Sequence, residues 1–188
     1  MINWLENIDI QILLTINGAH NSLMDSVMWA VSEEWFGIPF YLFFIYLLYK
    51  HLGTKTALLA IGCLALAVGL SDLSAKYLFK EVFLRYRPSR NLELGSQLHL
   101  VNGYTGGWYG FVSSHAANMF SIAMLTFLIL KNHIGKVLYL VFVWGGIIGY
   151  SRIYLGVHYP SDVLCGAVLG MTISLLIFRI FKQLKSKI

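Results

Sequence analysis

Ser151-Arg152-Ile153-Tyr154-Leu155-Gly156-Val157-His158-Tyr159-Pro160-Ser161-Asp162 decides how the rest of the chain is read. It places an arginine, a histidine and an aspartate between two charge-free runs, Val137–Ser151 and Val163–Phe178. Charge beside so much apolar sequence is costly unless it is paired or put to use. Working outward, three more such runs appear: Trp35–Tyr49, Thr56–Ser71 and Ala116–Leu130. Hydrophobic residues make up 57% of the 188 and charged ones only 12%, which excludes an ordinary soluble domain. The pattern predicts an all-α, integral membrane helical bundle of five clear spans. A sixth N-terminal crossing or a pair of interfacial helices is open over residues 1–31. Residues 1–188 read as one membrane-embedded domain, with an outer-face loop over 85–114. Met1–Asn17 carries Glu6 and Asp9 and no basic region, so it does not read as a cleavable signal peptide.

Each run is 15 or 16 residues, short of the roughly 20 that a crossing needs, so charged residues must sit inside the ends of the spans. One set of ends carries Lys50, Lys55, Lys131, Lys136, Arg179, Lys182, Lys185 and Lys187, eight of the fourteen Lys and Arg. The positive-inside rule puts that face in the cytoplasm. The other six, Lys76, Lys80, Arg85, Arg87, Arg90 and Arg152, lie on the face where the rule disfavours them, which points to an anionic ligand. The net charge of +5 does not indicate nucleic acid, because the basic residues are divided between two faces. Asp72, Lys76 and Lys80 recur every four residues, which predicts one shared helix face and a structural ion pair between Asp72 and Lys76. That helix is read as running from Lys55 to about Leu84, with Pro88 ending it. Over seven residues, about two turns, Lys80 and Arg87 would share a face. Tyr104 and Trp108 in the outer loop read as interface anchors. Cys63 and Cys165 read as small apolar core residues, and no metal-ligand spacing or disulfide framework is present.

Three clusters converge on the outer face: Lys80 with Arg87-Pro88; Ser113-Ser114-His115 before one span; and Arg152, His158 and Asp162 before the last. The latter two fall at helix N-termini, where unpaired N–H groups favour an anion. Phosphoryl transfer uses the whole set. Lys80, Arg87 and Arg152 match the charge on a phosphoryl group, and Ser113 and Ser114 add donors. His158 is the nucleophile and Asp162 fixes its tautomer. His115 protonates the leaving oxygen, then activates water.

Lys80-x6-Arg87-Pro88, Ser113-Ser114-His115 and Ser151-Arg152-x5-His158-x3-Asp162 together resemble the three-part signature of the type-2 phosphatidic acid phosphatase superfamily, which shares its fold with the vanadium haloperoxidases. The resemblance runs from Lys80 to Asp162. It implies a metal-independent membrane phosphatase with no cofactor, a lipid phosphate as its partner in the bilayer, and a site on the outer face of a bacterial inner membrane. The substrates it implies are undecaprenyl or another isoprenoid (di)phosphate, phosphatidylglycerol phosphate, phosphatidic acid or a lipid A phosphate. Ser114 stands where the family usually has glycine, which bears on substrate choice. Two rivals use the same residues: a vanadate-dependent haloperoxidase, and a lipid or anion transporter. The transporter has no need of two histidines and Asp162.

Overall fold

A computed structural model describes residues 2–188; Met1 and the side chains of Ile2, Asn3 and Glu34 lie outside the description. The main helices are α1 (Ile2–Gly18), α2 (Ser22–Ser32), α3 (Ile38–Leu52), α4 (Thr54–Ser74), a short α5 (Glu81–Phe83), α6 (Ser114–Ile134), α7 (Leu140–Tyr154) and α8 (Pro160–Lys185). No strand occurs among the described residues. The helix starts follow local chemistry. Asn21 caps α2 by accepting the Met24 N–H, Ser113 caps α6 by accepting the Ala116 N–H, and Pro39 and Pro160 occupy first-turn positions of α3 and α8. Gly53 and Gly135 end helices at positive φ, where a side chain would be strained.

Three helical stretches are long and apolar enough to cross a membrane: Thr54–Phe83, Ser114–Tyr154 and Pro160–Lys185. A fourth is reached if the bent pair Ser22–Ser32 and Trp35–Leu52 counts as one span. Helix length therefore does not establish the expected five. The stretch Ser114–Tyr154 nevertheless doubles back, because His115 near its start and Arg152 near its end line one cavity. Apolar side chains such as Leu42, Leu78, Val143 and Leu164 face outward from the bundle. In water this surface would be a liability; in a bilayer it is the lipid-facing side.

The core is filled from α3, α4, α6 and α8, with Leu48, Ala60, Ala67, Leu125, Leu130 and Ile177 all buried. The tightest contact joins α6 to α8. A Cβ added at Gly170 would lie 2.0 Å from the Ala117 carbonyl oxygen, and one at Gly166 would lie 2.5 Å from that of Ser113. These two glycines, one turn apart, let the backbones touch, as in small-residue packing between membrane helices. One turn further on, Ser174 Oγ donates to the Ser121 carbonyl at 2.7 Å.

The sequence expectation fails along the outer end of α4. Ala75–Lys80 is a π-helical segment, α5 follows, and Leu84 stops the helix in the left-handed region at φ 49°. The wider π turn changes the register. Asp72 nevertheless lies within electrostatic reach of both Lys76 and Lys80. Asp72 makes no ion pair with any described residue, and Lys76 sits over the Tyr77 ring at 4.8 Å. Arg87 has extended backbone and belongs to no helix with Lys80. Both cysteines are free; Cys63 is buried and Cys165 is exposed.

Candidate active site

The short link between α7 and α8 is the floor of the site. Gly156 turns the chain at φ +70°, and the Val157 and His158 N–H groups both donate to the Arg152 carbonyl. His158 is 1% exposed. Its Nδ1 lies 3.4 Å from Asp162 Oδ2. Its Nε2 is buried and has no hydrogen-bond partner among the described residues. The Asp162 carboxylate is wholly buried and also accepts the Tyr159 N–H at 3.0 Å. Burial, and then the charges of Arg87, Arg152 and Lys80, push the His158 imidazole well below its ordinary value of 6.5. The resting ring is therefore neutral and carries a lone pair.

Cations arrive from three directions. Lys80 Nζ donates to Ser114 Oγ at 2.7 Å, so the serine at the usual glycine position gives the lysine a partner. Arg87 is held by the carbonyls of Tyr109 and Val157, each at 3.3 Å. The glycine loop closes on it: a Cβ at Gly106 would meet Arg87 Nη1 at 2.8 Å. Burial, then the nearby charge of Arg152, lowers the Arg87 guanidinium to about 10. Arg152 Nη1 donates to the Ser32 hydroxyl at the end of α2, and Nη2 to Tyr104 Oη at 3.1 Å. Tyr104 is therefore a partner of the site, where an interface anchor was expected. Trp108 is exposed, with the Arg90 guanidinium over its ring. His115 lies within electrostatic reach of Lys80, Arg87, Arg152 and His158. Ser113 is buried and serves as the cap of α6, and its N–H donates to the Asp162 carbonyl at 2.9 Å. All eight residues singled out in the sequence thus lie at one end of the bundle, where α6 and α8 begin. The line from Lys80 to Arg87 is a broken chain, not a helix face.

Arg85 was expected among the cations facing an anionic ligand, but the protein's own carboxylates take it up. Its Nη1 donates to Asp162 Oδ1 at 2.8 Å and to Ser161 Oγ at 2.7 Å, and its Nη2 to Asp9 Oδ2 at 2.7 Å. Asp9 on α1 completes the ring by accepting the Ser161 N–H at 2.8 Å and the Ser161 hydroxyl. The signal available was Asp9 itself, a carboxylate in an apolar helix. Burial works against the Arg85 charge, but Asp162 and Asp9 outweigh it and raise the guanidinium above its ordinary range. Arg85 thus shares Asp162 with His158. Among the described residues no three His, Cys, Asp or Glu side chains are grouped to hold a metal ion.

The profile of the PAP2 superfamily matches residues 56–186. A lipid A 4'-phosphatase of Bacteroides thetaiotaomicron is 33% identical over 90% of this chain and 75% of its own. A lipid A 4'-phosphatase of Porphyromonas gingivalis is 29% identical over 99% of this chain and 78% of its own. The transmembrane PAP2-type phosphatidylglycerolphosphate phosphatase of Bacillus subtilis superposes with a TM-score of 0.72 at 24% identity, over 96% of this chain and 88% of that one. That last likeness concerns the fold.

Proposed function

The chain belongs to the PAP2 superfamily, and from that premise we propose that it hydrolyses a lipid phosphate by metal-independent phosphoryl transfer through His158. It is an integral membrane protein; we place it in a bacterial inner membrane with the site facing outward. A lipid A phosphate stands first among the candidate substrates, because two relatives carry that name. Undecaprenyl diphosphate, phosphatidylglycerol phosphate and phosphatidic acid follow.

In the first step the lone pair on His158 Nε2 attacks phosphorus and the ester P–O bond breaks. His115 gives its proton to the departing oxygen. Asp162 accepts the Nδ1 proton of His158 as a hydrogen bond and balances the positive charge that forms on the ring. Lys80, Arg87 and Arg152 meet the charge spread over the three remaining oxygens, together with the free N–H groups in the first turn of α6 near Ser113 and Ser114. In the second step His115 takes a proton from water, the water oxygen attacks phosphorus, the P–N bond breaks, and phosphate leaves. The observation that carries this reading is His158 Nε2, a buried and unpartnered nitrogen beside three cations. A haloperoxidase would require a bound vanadate, which no relative reported above suggests.

The test is phosphate release, read with malachite green, over a panel of lipid phosphates in detergent with and without chelator. Wild type should release phosphate equally in both, and His158→Ala should release none. Wild-type rates from His158→Ala would remove the histidine from the chemistry. Loss of activity in chelator would remove the metal-free mechanism.

A further inference from the structure

Two cavities meet at His115. The outer one, about 820 Å³, is lined by Trp29, Tyr104, His115 and Arg152, among others. The inner one, about 350 Å³, runs along one face of α6, where His115, Asn118, Met119 and Ile122 follow at helical spacing. Ser32 and Glu33 line both. The inner cavity contains neither arginine. Its charged lining residues besides the histidine are Glu33 and Asp72.

Two carboxylates beside a site for a phosphate dianion weaken its binding unless they face something else. Neither makes a salt bridge with a described residue, and Asp72 reaches Lys76 and Lys80 only at longer range. A carboxylate only accepts hydrogen bonds. The Asn118 side-chain oxygen in the same lining is buried and has no hydrogen-bond partner among the described residues, and an unmet buried acceptor is destabilising. The cavity therefore sets three acceptor side chains, Glu33, Asp72 and Asn118, directly beside the group proposed to protonate the leaving oxygen. Beyond them the lining becomes apolar and shares Val68 and Ile122 with a groove of about 490 Å³ formed by residues such as Ile45, Ile61 and Leu64.

We propose that the inner cavity holds the alcohol half of the substrate and selects alcohols that carry hydrogen-bond donors near the ester oxygen. Such donors are the hydroxyl or amide N–H groups of a sugar or polyol. Glu33, Asp72 and Asn118 are the specificity-determining residues, with acyl chains continuing into the apolar groove. Isoprenyl and diacylglycerol leaving groups carry no such donors and leave the acceptors unmatched. This inference rests on the phosphatase reading and deepens it.

The test compares kcat/KM on three substrates: a 4'-phosphorylated, N-acylated glucosamine lipid, phosphatidylglycerol phosphate, and phosphatidic acid with the same acyl chains. The last offers no donor on its leaving group. The readout is the ratio of each donor-bearing substrate to phosphatidic acid within one preparation, which cancels any difference in folded fraction. Wild type should prefer at least one donor-bearing lipid by about tenfold or more, and the arm with the higher ratio separates sugar from polyol. Glu33→Gln and Asn118→Leu should each bring that ratio down toward one. Loss of the Glu33 charge would by itself favour the more anionic phosphatidylglycerol phosphate, so a fall in that ratio is not a charge effect. A wild-type ratio near one, or a ratio kept in both variants, overturns the inference while leaving the phosphatase reading in place. A wild type that released phosphate only from undecaprenyl diphosphate would overturn the inference alone, and one that released it from none of the four lipids would overturn both.

Discussion

Gly170→Ala tests whether direct backbone contact between α6 and α8 sets the site. The added Cβ would start 2.0 Å from the Ala117 carbonyl oxygen, with the Ser121 nitrogen at 2.9 Å. Both are backbone atoms on a helix and cannot rotate aside. Restoring an ordinary contact requires the helices to part by at least about 1 Å. Overpacking of this kind costs about 1–3 kcal/mol. Ala117 is two residues beyond His115, so the displacement reaches the proposed acid directly, and a 1 Å misplacement of a reacting group costs on the order of 10²-fold in rate. Gly166→Ala, which starts at 2.5 Å, should show the same effect in smaller degree. Gly62→Ala is the control: nothing lies within 4 Å of its added Cβ, so it should be neutral or stabilising by about 0.4–1 kcal/mol. Apparent Tm in a single detergent and phosphate release would be measured on all three. The reasoning is refuted if Gly170→Ala matches Gly62→Ala in both.

Arg85→Ala should lower stability by about 3 kcal/mol and abolish activity, because it strands two buried carboxylates. Arg85→Lys should recover only part of each, since an ammonium cannot reproduce the fork to Asp9 and Asp162; full recovery would count against the shared grip. The depressed His158 imidazole binds fewer protons folded than unfolded, so its contribution to stability is intact above about pH 6.5 and is lost as pH falls below that value. For the same reason the acid limb of a bell-shaped kcat/KM profile should fall well under 6.5, and a limb at or above 6.5 in wild type would contradict a neutral resting ring. Tyr104→Phe removes the hydroxyl contact with Arg152 but keeps the ring beneath its guanidinium. It should raise KM several-fold with little change in kcat.

What was legible in the sequence is what local chemistry determines. Pro160, Ser113 and Gly135 mark helix ends through caps and φ preferences that act within one turn, and the structure puts the ends there. Six residues of the candidate site, Lys80, Arg87, His115, Arg152, His158 and Asp162, stood out because charge in apolar surroundings needs a reason, and Ser113 and Ser114 because they precede a helix. The end of the helix near Leu84 was legible too, but the π segment before Glu81 was not, since it does not follow from the propensity of a stretch that reads as continuous α-helix. Arg85 was read as facing a ligand because its true partners, Asp9 and Asp162, lie 76 and 77 positions away and only the assembled bundle brings them together. Gly166 and Gly170 read as ordinary small residues until the α6 backbone lies against them.

The clasp between Asp9 and Ser161 joins positions 152 apart. At 5–20 residues per second, a ribosome delivers the second about 8 to 30 s after the first. For the first half of that interval the first helix has its carboxylate but no cation for it, since Arg85 lies 76 positions downstream. An unpaired carboxylate favours the aqueous boundary of the bilayer over its interior. During biogenesis α1 is therefore a waiting element, docked late, and the candidate site closes only after Ser161 and Asp162 have been made.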